Sequence, residues 1–302
     1  MKVLITGAGG NLGRTAIPLL AEHGHDVLAL DARPLELEHE TVQADVGDRA
    51  ALERAVEGVD AVVHAAALHG VHLREREPAD FWATNVTGTF NVYESARAAG
   101  VRKVVLASTM GVYGRSEAAE GWAVVTEESD ALPADVYGLS KWLCEQLARY
   151  HARTGGPATV ALRLGMFVPE TFERYGFRLL FGGVDDRDVA QAVRLALEHE
   201  PEGRFDYFNV MAATPFDEVD ARALGDDPAG VIDRHWPGTT ELVAERGLRL
   251  DELLWGEAVF PIEKAARVLG YRPLYGFDEF LAAWQRGDES HYPFAGLSQW
   301  GV

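Results

Sequence analysis

Lys2-Val3-Leu4-Ile5-Thr6-Gly7-Ala8-Gly9-Gly10-Asn11-Leu12-Gly13 begins as an apolar strand and runs at once into glycines at positions 7, 10 and 13. Beyond it, Leu12–Glu22 has helical apolar spacing, so the glycines lie in a strand-to-helix turn. Each has a mechanical use there. One permits the tight turn, one lets backbone approach a pyrophosphate, and one lets helix and strand pack closely. The N–H groups of Asn11 and Leu12 then point at the phosphates. Eighteen residues after Gly13 the next apolar run ends in Leu30-Asp31, where a carboxylate accepts hydrogen bonds from ribose hydroxyls. An Asp there repels a 2′-phosphate, so the expected cofactor is NAD rather than NADP, and Arg33 reads as a solvated surface residue.

Outward from this turn, short apolar runs alternate with helical segments. Strands are expected at Lys2–Thr6, Asp26–Asp31, Glu40–Gln43, Ala61–His64, Lys103–Ala107, Thr159–Leu164 and Asp206–Val210. Helices are expected near Leu12–Glu22, Arg49–Val56, Asp80–Ala99, Tyr137–Thr154 and Asp186–Glu198. Nearly all-apolar strands alternating with helices predict an α/β fold, a Rossmann-type doubly wound parallel sheet. From about Thr214 the rhythm changes, with Asp-Asp-Pro, Trp-Pro-Gly and a late helical segment, Ile262–Leu269. The expected division is a nucleotide-binding domain over 1–168, to which 186–212 returns, and a smaller C-terminal substrate lobe from 169–185 and 213–302.

The chain has 302 residues, 47% of them hydrophobic, and a formal net charge of −19. That charge repels a phosphate backbone and an anionic membrane surface, and no apolar run reaches the roughly 18–20 residues of a membrane span. Nucleic acid and membrane are therefore excluded as expected partners. The N-terminal stretch has no signal-peptide pattern, and the single cysteine, Cys144, cannot form an internal disulfide, so the expected compartment is the cytoplasm. Cys144 itself reads as a small buried packing residue.

At Tyr137-Gly138-Leu139-Ser140-Lys141, a Tyr and a Lys four apart share one face of a helix. A neighbouring ammonium favours phenolate, which pulls the phenol toward the working range of a general base that takes a hydroxyl proton as hydride leaves carbon. The strand Lys103–Ala107 delivers Ser108-Thr109-Met110-Gly111-Val112-Tyr113-Gly114 at its carboxyl end, the edge where open α/β sheets bind ligands.

With these residues in order, the chain resembles the extended short-chain dehydrogenase/reductase family, which includes nucleotide-sugar epimerases and dehydratases. The likeness covers roughly Met1 to Arg163, with echoes at Asp185–Val193 and Lys264–Pro273. It implies a catalytic triad of Thr109, Tyr137 and Lys141, with Ser108 on the nicotinamide side. It also implies that Asp45-Val46 contacts adenine, that Ala65-Ala66-Ala67 after His64 passes beneath the cofactor, and that Asn85 supports the site from the central helix. Family members often dimerise through helices equivalent to Asp80–Ala99 and Tyr137–Thr154, so a homodimer is expected on that analogy.

The substrate is read from a missing insertion. After Leu162-Arg163-Leu164 the chain continues Gly165-Met166-Phe167-Val168-Pro169 and reaches Asp185-Asp186-Arg187-Asp188 within a short segment, leaving little room for a nucleotide clamp. The likeness is then to uronate and related sugar dehydrogenases. Arg174 and Arg178 are candidates for a carboxylate clamp or, equally, surface arginines of an acidic protein. Thr109, Met110 and His69 are further substrate-side candidates. His69 and His72 lack the additional ligands a metal needs, so no metal is expected. The Trp residues 122, 142, 236, 255 and 284 read as packing, and Glu127-Glu128-Ser129-Asp130 as a solvated loop. The leading expectation is oxidation of a secondary alcohol of a small sugar or sugar acid with NAD. Two alternatives stay open: an epimerase or dehydratase with tightly held NAD, and an NAD-binding sensor without turnover.

Overall fold

The computed structural model of the chain describes residues 1–114, 122–256 and 258–297. Among them are nine strands: β1 (Lys2–Thr6), β2 (Asp26–Asp31), β3 (Glu40–Gln43), β4 (Ala61–His64), β5 (Lys103–Thr109), β6 (Ala123–Val124), β7 (Ala158–Leu164), β8 (Phe205–Val210) and β9 (Ala258–Val259). Seven of them form one parallel sheet in the order β3-β2-β1-β4-β5-β7-β8, and β6 pairs separately with β9. This is the expected doubly wound α/β sheet of Rossmann type. Every residue of β4, β5 and β7 is buried, because helices cover both faces, which is why these strands are continuous apolar runs.

Alternate residues of a strand serve opposite faces. Val3 and Ile5 of β1 pack with Ala16 and Leu20 of α1 (Asn11–Glu22), while Leu4 faces Leu52 of α2 (Arg49–Ala55). The expected helix 80–99 is interrupted. α3 (Pro78–Phe81) passes through a π-helical turn, Trp82–Thr87, into α4 (Gly88–Ala98). Pro78 at the first helical position sets the start, and Gly88 lies against Val46, where a Cβ would come within 2.5 Å of its Cγ2. α5 (Val136–Arg153) covers the same face as α4.

The chain then runs through α6 (Phe172–Arg178) and α7 (Asp186–Glu198), the latter packing beside α1 on the other face. A second core rich in aromatic rings follows, in which Phe172, Tyr175, Phe177, Phe181, Phe216, Trp236, Phe277, Phe280 and Trp284 pack among aliphatic residues such as Leu179, Leu180, Ile232 and Val243. It draws on α6, α8 (Glu218–Leu224), α9 (Pro228–His235), α10 (Thr239–Glu245) and α11 (Leu250–Leu253). α12 (Glu263–Val268) behaves differently. Ala265, Leu269 and Tyr271 join the core of the sheet, although the sequence groups 213–302 with the lobe. The reason is that the α12 segment has its own small apolar stripe, which meets β8. α13 (Phe277–Arg286) returns to the aromatic core, where a side chain on Gly176 would collide with the ring of Phe280. No helix among the described residues is long and apolar enough to cross a membrane.

Candidate active site

Because all seven strands of the sheet are parallel, their carboxyl ends share one edge, and a cleft opens there. Gly7, Gly10, Asn11 and Leu12 line it from the loop after β1, Ala65, Ala67, His69 and His72 from the segment after β4, and Ser108 and Thr109 from the end of β5. Leu164, Gly165 and Phe167 close it after β7, and Tyr137 and Lys141 enter from the first turns of α5. A larger cavity, about 700 Å³, lies at the opposite edge beside Arg102, Lys103 and Glu200. The residues with chemistry for a dinucleotide lie in the first cleft, at the edge where such sheets bind ligands.

The loop after β1 has the shape its glycines predict. Gly7 has φ +70°, and a Cβ there would sit 2.6 Å from the backbone nitrogen of Ala66, while a Cβ on Gly13 would run into the carbonyl of Ala8. Ala66 thus packs beneath Gly7 rather than lining the cleft. Gly9, which the sequence reading left without a role, donates its N–H to Asp31 Oδ2 at 2.9 Å. Arg33 is not a free surface cation: its Nε lies 3.3 Å from Asp31 Oδ1. Buried Asn11 Oδ1 has no hydrogen-bond partner and could accept from a ribose hydroxyl, while the N–H groups of the glycine cradle fit a pyrophosphate. Asp45 accepts from Gly47 N–H at 2.6 Å, and Val46 is buried against α4; neither lines the cleft.

Asp135 caps α5, accepting from Gly138 N–H at 2.7 Å, and so fixes the turn that carries Tyr137. The Tyr137 hydroxyl is hydrogen-bonded to the side chain of Thr109. Thr109 in turn accepts from Gly111 N–H at 3.1 Å, so its position is set by the short turn after β5. Lys141 follows one turn along the same face and is buried. Burial, not the ammonium, dominates the phenol: the Tyr137 pKa is pushed up, with the Thr109 hydrogen bond opposing. This reverses the expected direction, since Lys141 is itself driven toward the neutral form by burial, against the pull of Cys144 and Glu145. The His69 ring lies 4.8 Å from that of Tyr137, and burial lowers its pKa to about 4, so it is neutral at pH 7.

Behind Thr109, Tyr137 and Lys141 lies a buried charged network for which the sequence analysis has no counterpart. Glu145, fully buried one turn beyond Lys141, accepts from Arg163 Nε at 2.9 Å and from Nη2 at 2.8 Å. Ser108, which also lines the cleft, donates its hydroxyl to the same carboxylate at 2.7 Å. Arg163 also stacks on Tyr113 and Tyr207, at 4.7 and 4.2 Å from the ring centroids. One signal was available: a lone arginine within the apolar run of β7 requires a buried anion. Glu127, read as part of a solvated loop, is likewise buried and accepts Asn209 N–H at 2.8 Å. Asn85 sits in the π-turn and joins two walls of the cleft. Its Oδ1 accepts Leu68 N–H at 2.7 Å, and its Nδ2 donates to Leu68 O and Ser140 Oγ at 2.9 and 2.8 Å.

The arginine candidates do not converge on the cleft. Arg178 is buried, with Nε on Glu170 at 2.8 Å, Nη1 on the carbonyl of Met166 and Nη2 on that of Val168. Its guanidinium braces the segment after β7 and presents no open fork. Arg174 is exposed and does not line the cleft. Met110 packs toward Phe260 around Gly182. The tryptophans at 236 and 284 are buried packing, as expected.

Comparison with known proteins sets this geometry in a family. The chain is 35% identical over 177 residues to a uronate dehydrogenase of Pseudomonas syringae pv. tomato, a match covering 57% of this chain and 62% of that protein. It is 30% identical over 169 residues to a UDP-glucose 4-epimerase of Corynebacterium glutamicum, covering 54% and 50% of the two. A solved short-chain dehydrogenase/reductase superfamily protein from Agrobacterium tumefaciens, with bound NAD, superposes with a TM-score of 0.71 at 25% identity, over 96% of this chain and 97% of that one. The curated relatives are thus matched over only part of their length, whereas the solved fold is matched almost throughout. The model of the NAD dependent epimerase/dehydratase family matches residues 3–174, a span containing the glycine loop, Thr109, Tyr137 and Lys141, and the chain belongs to that family.

Proposed function

We propose that this protein is an NAD-dependent dehydrogenase that oxidises a secondary alcohol of a sugar or sugar acid. The observation that carries the reading is the convergence of the glycine loop with Thr109, Tyr137 and Lys141 in one cleft. Gly7, Gly10 and the N–H groups of Asn11 and Leu12 hold the pyrophosphate, and Asp31, kept in place by Gly9 and Arg33, takes the ribose hydroxyls and favours NAD over NADP. When bound, NAD supplies the hydride acceptor and a positive ring.

Thr109 orients the substrate hydroxyl, and Tyr137 accepts its proton. Burial holds Tyr137 and Lys141 toward their neutral forms, and the positive ring of bound NAD would favour the phenolate. His69, neutral and set over Tyr137, offers a hydrogen bond to a neighbouring sugar hydroxyl. The aromatic lobe (residues 169–185 and 213–302, less the α12 segment) closes the substrate side. Exposed Trp82, Phe90, Leu139 and Tyr150 lie on the π-turn, α4 and α5 and support a homodimer through that face. A uronate dehydrogenase among the relatives, together with the short segment after β7, favours a small substrate over a sugar nucleotide.

The test is NADH formation by purified protein with NAD across a panel of sugars and uronic acids. Tyr137→Phe is expected to lower turnover about 10²- to 10⁴-fold while NAD affinity stays within about threefold. Interconversion of nucleotide sugars without net NADH would assign the site to an epimerase, and near-normal turnover in Tyr137→Phe would remove the phenol from the mechanism.

A further inference from the structure

His64, Thr89 and Cys144 are buried beside the cleft, and no part of the proposed chemistry uses them. They are nevertheless joined in a line. Thr6 Oγ1 lies 2.7 Å from His64 Nδ1, His64 Nε2 lies 2.9 Å from Thr89 Oγ1, Thr89 Oγ1 lies 3.1 Å from Cys144 Sγ, and Cys144 Sγ lies 3.2 Å from the carbonyl oxygen of Asn85.

The last link sets the direction of all the others. A carbonyl only accepts, so Cys144 gives it its one proton and must accept from Thr89. Thr89 has then spent its one hydroxyl proton and must accept from His64, which therefore carries its hydrogen on Nε2. A neutral imidazole protonated on Nε2 has an open lone pair on Nδ1, and Thr6 donates to it. Burial, with the Lys141 charge nearby, pushes the His64 pKa down to about 3, and burial raises that of the Cys144 thiol, so both groups are in the states this direction requires. Ala66 N–H, 3.4 Å from Thr6 Oγ1, points into the remaining acceptor side of that hydroxyl.

The line ends where the helix is irregular. In a π-turn the carbonyls lose their usual fourth-residue donors, and Gly88 N–H is shared here between Ala83 O and Asn85 O. The Cys144 thiol adds a donor to the Asn85 carbonyl. The Asn85 side chain grips Leu68, next to His69, and Ser140, whose hydroxyl donates to the carbonyl of Tyr137 at 2.7 Å. The line therefore runs from the residue before the glycine loop to the clamp between His69 and Tyr137.

We propose that Thr6, His64, Thr89 and Cys144 form a one-way hydrogen-bond chain that holds the Asn85 turn, and that His64, Thr89 and Cys144 are positioning residues for Tyr137 and His69. The single cysteine acts as a donor and is more than a space-filler. This rests on the dehydrogenase reading for its effect on turnover, but not for the chain itself.

The experiment separates donor from volume at position 144. Cys144→Val fills the site without a donor, Cys144→Ala removes both, and Cys144→Ser keeps a donor; Thr89→Val breaks the adjacent link. Cys144→Val, Cys144→Ala and Thr89→Val are each expected to lower kcat about tenfold, with KM and NAD affinity within about twofold, and Cys144→Ser is expected to rescue most of kcat. Equal kcat in Cys144→Val and wild type, or a Cys144→Ser loss as deep as that of Cys144→Ala, would overturn the proposal.

Amide hydrogen exchange of residues 68 and 85–88 gives a readout independent of substrate. Exchange should quicken in Cys144→Val and Thr89→Val and stay slow in Cys144→Ser. Unchanged exchange in all three would overturn the chain. Altered exchange in a protein that produces no NADH would leave the chain standing and remove the dehydrogenase reading instead.

Discussion

Beneath the cleft, Glu145 meets Arg163 through two hydrogen bonds and accepts a third from Ser108; at the junction with the aromatic lobe, Asp185, Asp186 and Asp188 crowd the first turn of α7 around Arg178 and Arg187. The first cluster is balanced, one carboxylate against one guanidinium. The second carries surplus acid, because Arg178 is already paired with Glu170 and Arg187 is bound to Asp185 at 2.7 Å. Asp188 satisfies both oxygens on Leu274 and Tyr275 N–H, at 2.8 and 3.0 Å, whereas Asp186 Oδ2 is buried without a partner. Burial, followed by the Asp185 charge, raises the Asp186 pKa to about 7. A balanced pair holds its geometry across the working pH range, while a surplus carboxylate ties the lobe junction to pH.

The comparison breaks most visibly at Arg163. Arg163→Leu strands a buried carboxylate and should cost about 3–5 kcal/mol in denaturant unfolding, whereas removing both charges in Glu145→Leu/Arg163→Leu should recover much of that loss. A single variant as stable as wild type would show that the pair is not what holds α5 to β7.

At the second cluster the sign is opposite. Asp186 titrates near 4 unfolded and about 7 folded, so the folded state is most favoured at low pH and loses stability as pH rises through 7. Asp186→Asn should match wild type near pH 4 and exceed it by on the order of 2–3 kcal/mol at pH 8, read as the pH dependence of the unfolding midpoint. Parallel pH curves would remove the surplus charge from the account.

The two arginine candidates separate next. Arg178→Met leaves Glu170 and two carbonyls short of donors and should destabilise by about 1–3 kcal/mol. The exposed Arg174→Ala should change stability by no more than about 0.5 kcal/mol and leave KM unaltered. A large KM increase in Arg174→Ala would restore it as a substrate clamp.

The glycine loop, the strand ends and the Tyr137/Lys141 spacing were legible because each is a local geometric need: a positive φ at Gly7, a close approach at Gly13, one helix turn between two side chains. The aromatic lobe was not. α8 to α11 are short, of four to eight residues, and owe their helicity to Phe216, Trp236 and their neighbours packing together rather than to a long periodic stripe. Glu127 illustrates the same limit. Its neighbours Glu128 and Asp130 are exposed, and the amide of Asn209, 82 positions away, together with the Lys264 and Arg163 charges, makes its burial tolerable.

The sequence by itself determined the parallel α/β sheet, the glycine turn after β1 and the shared helix face of Tyr137 and Lys141, because period, turn chemistry and helical spacing act within a few residues of chain. Only the tertiary structure decided which charges pair: that Arg163 answers Glu145, that Arg33 holds Asp31, that Arg178 braces the segment after β7, and that Cys144 donates into a π-turn. The physical reason is that burying a charge or a polar hydrogen is tolerable only with a partner, and the partner is chosen by which strands and helices the fold brings together.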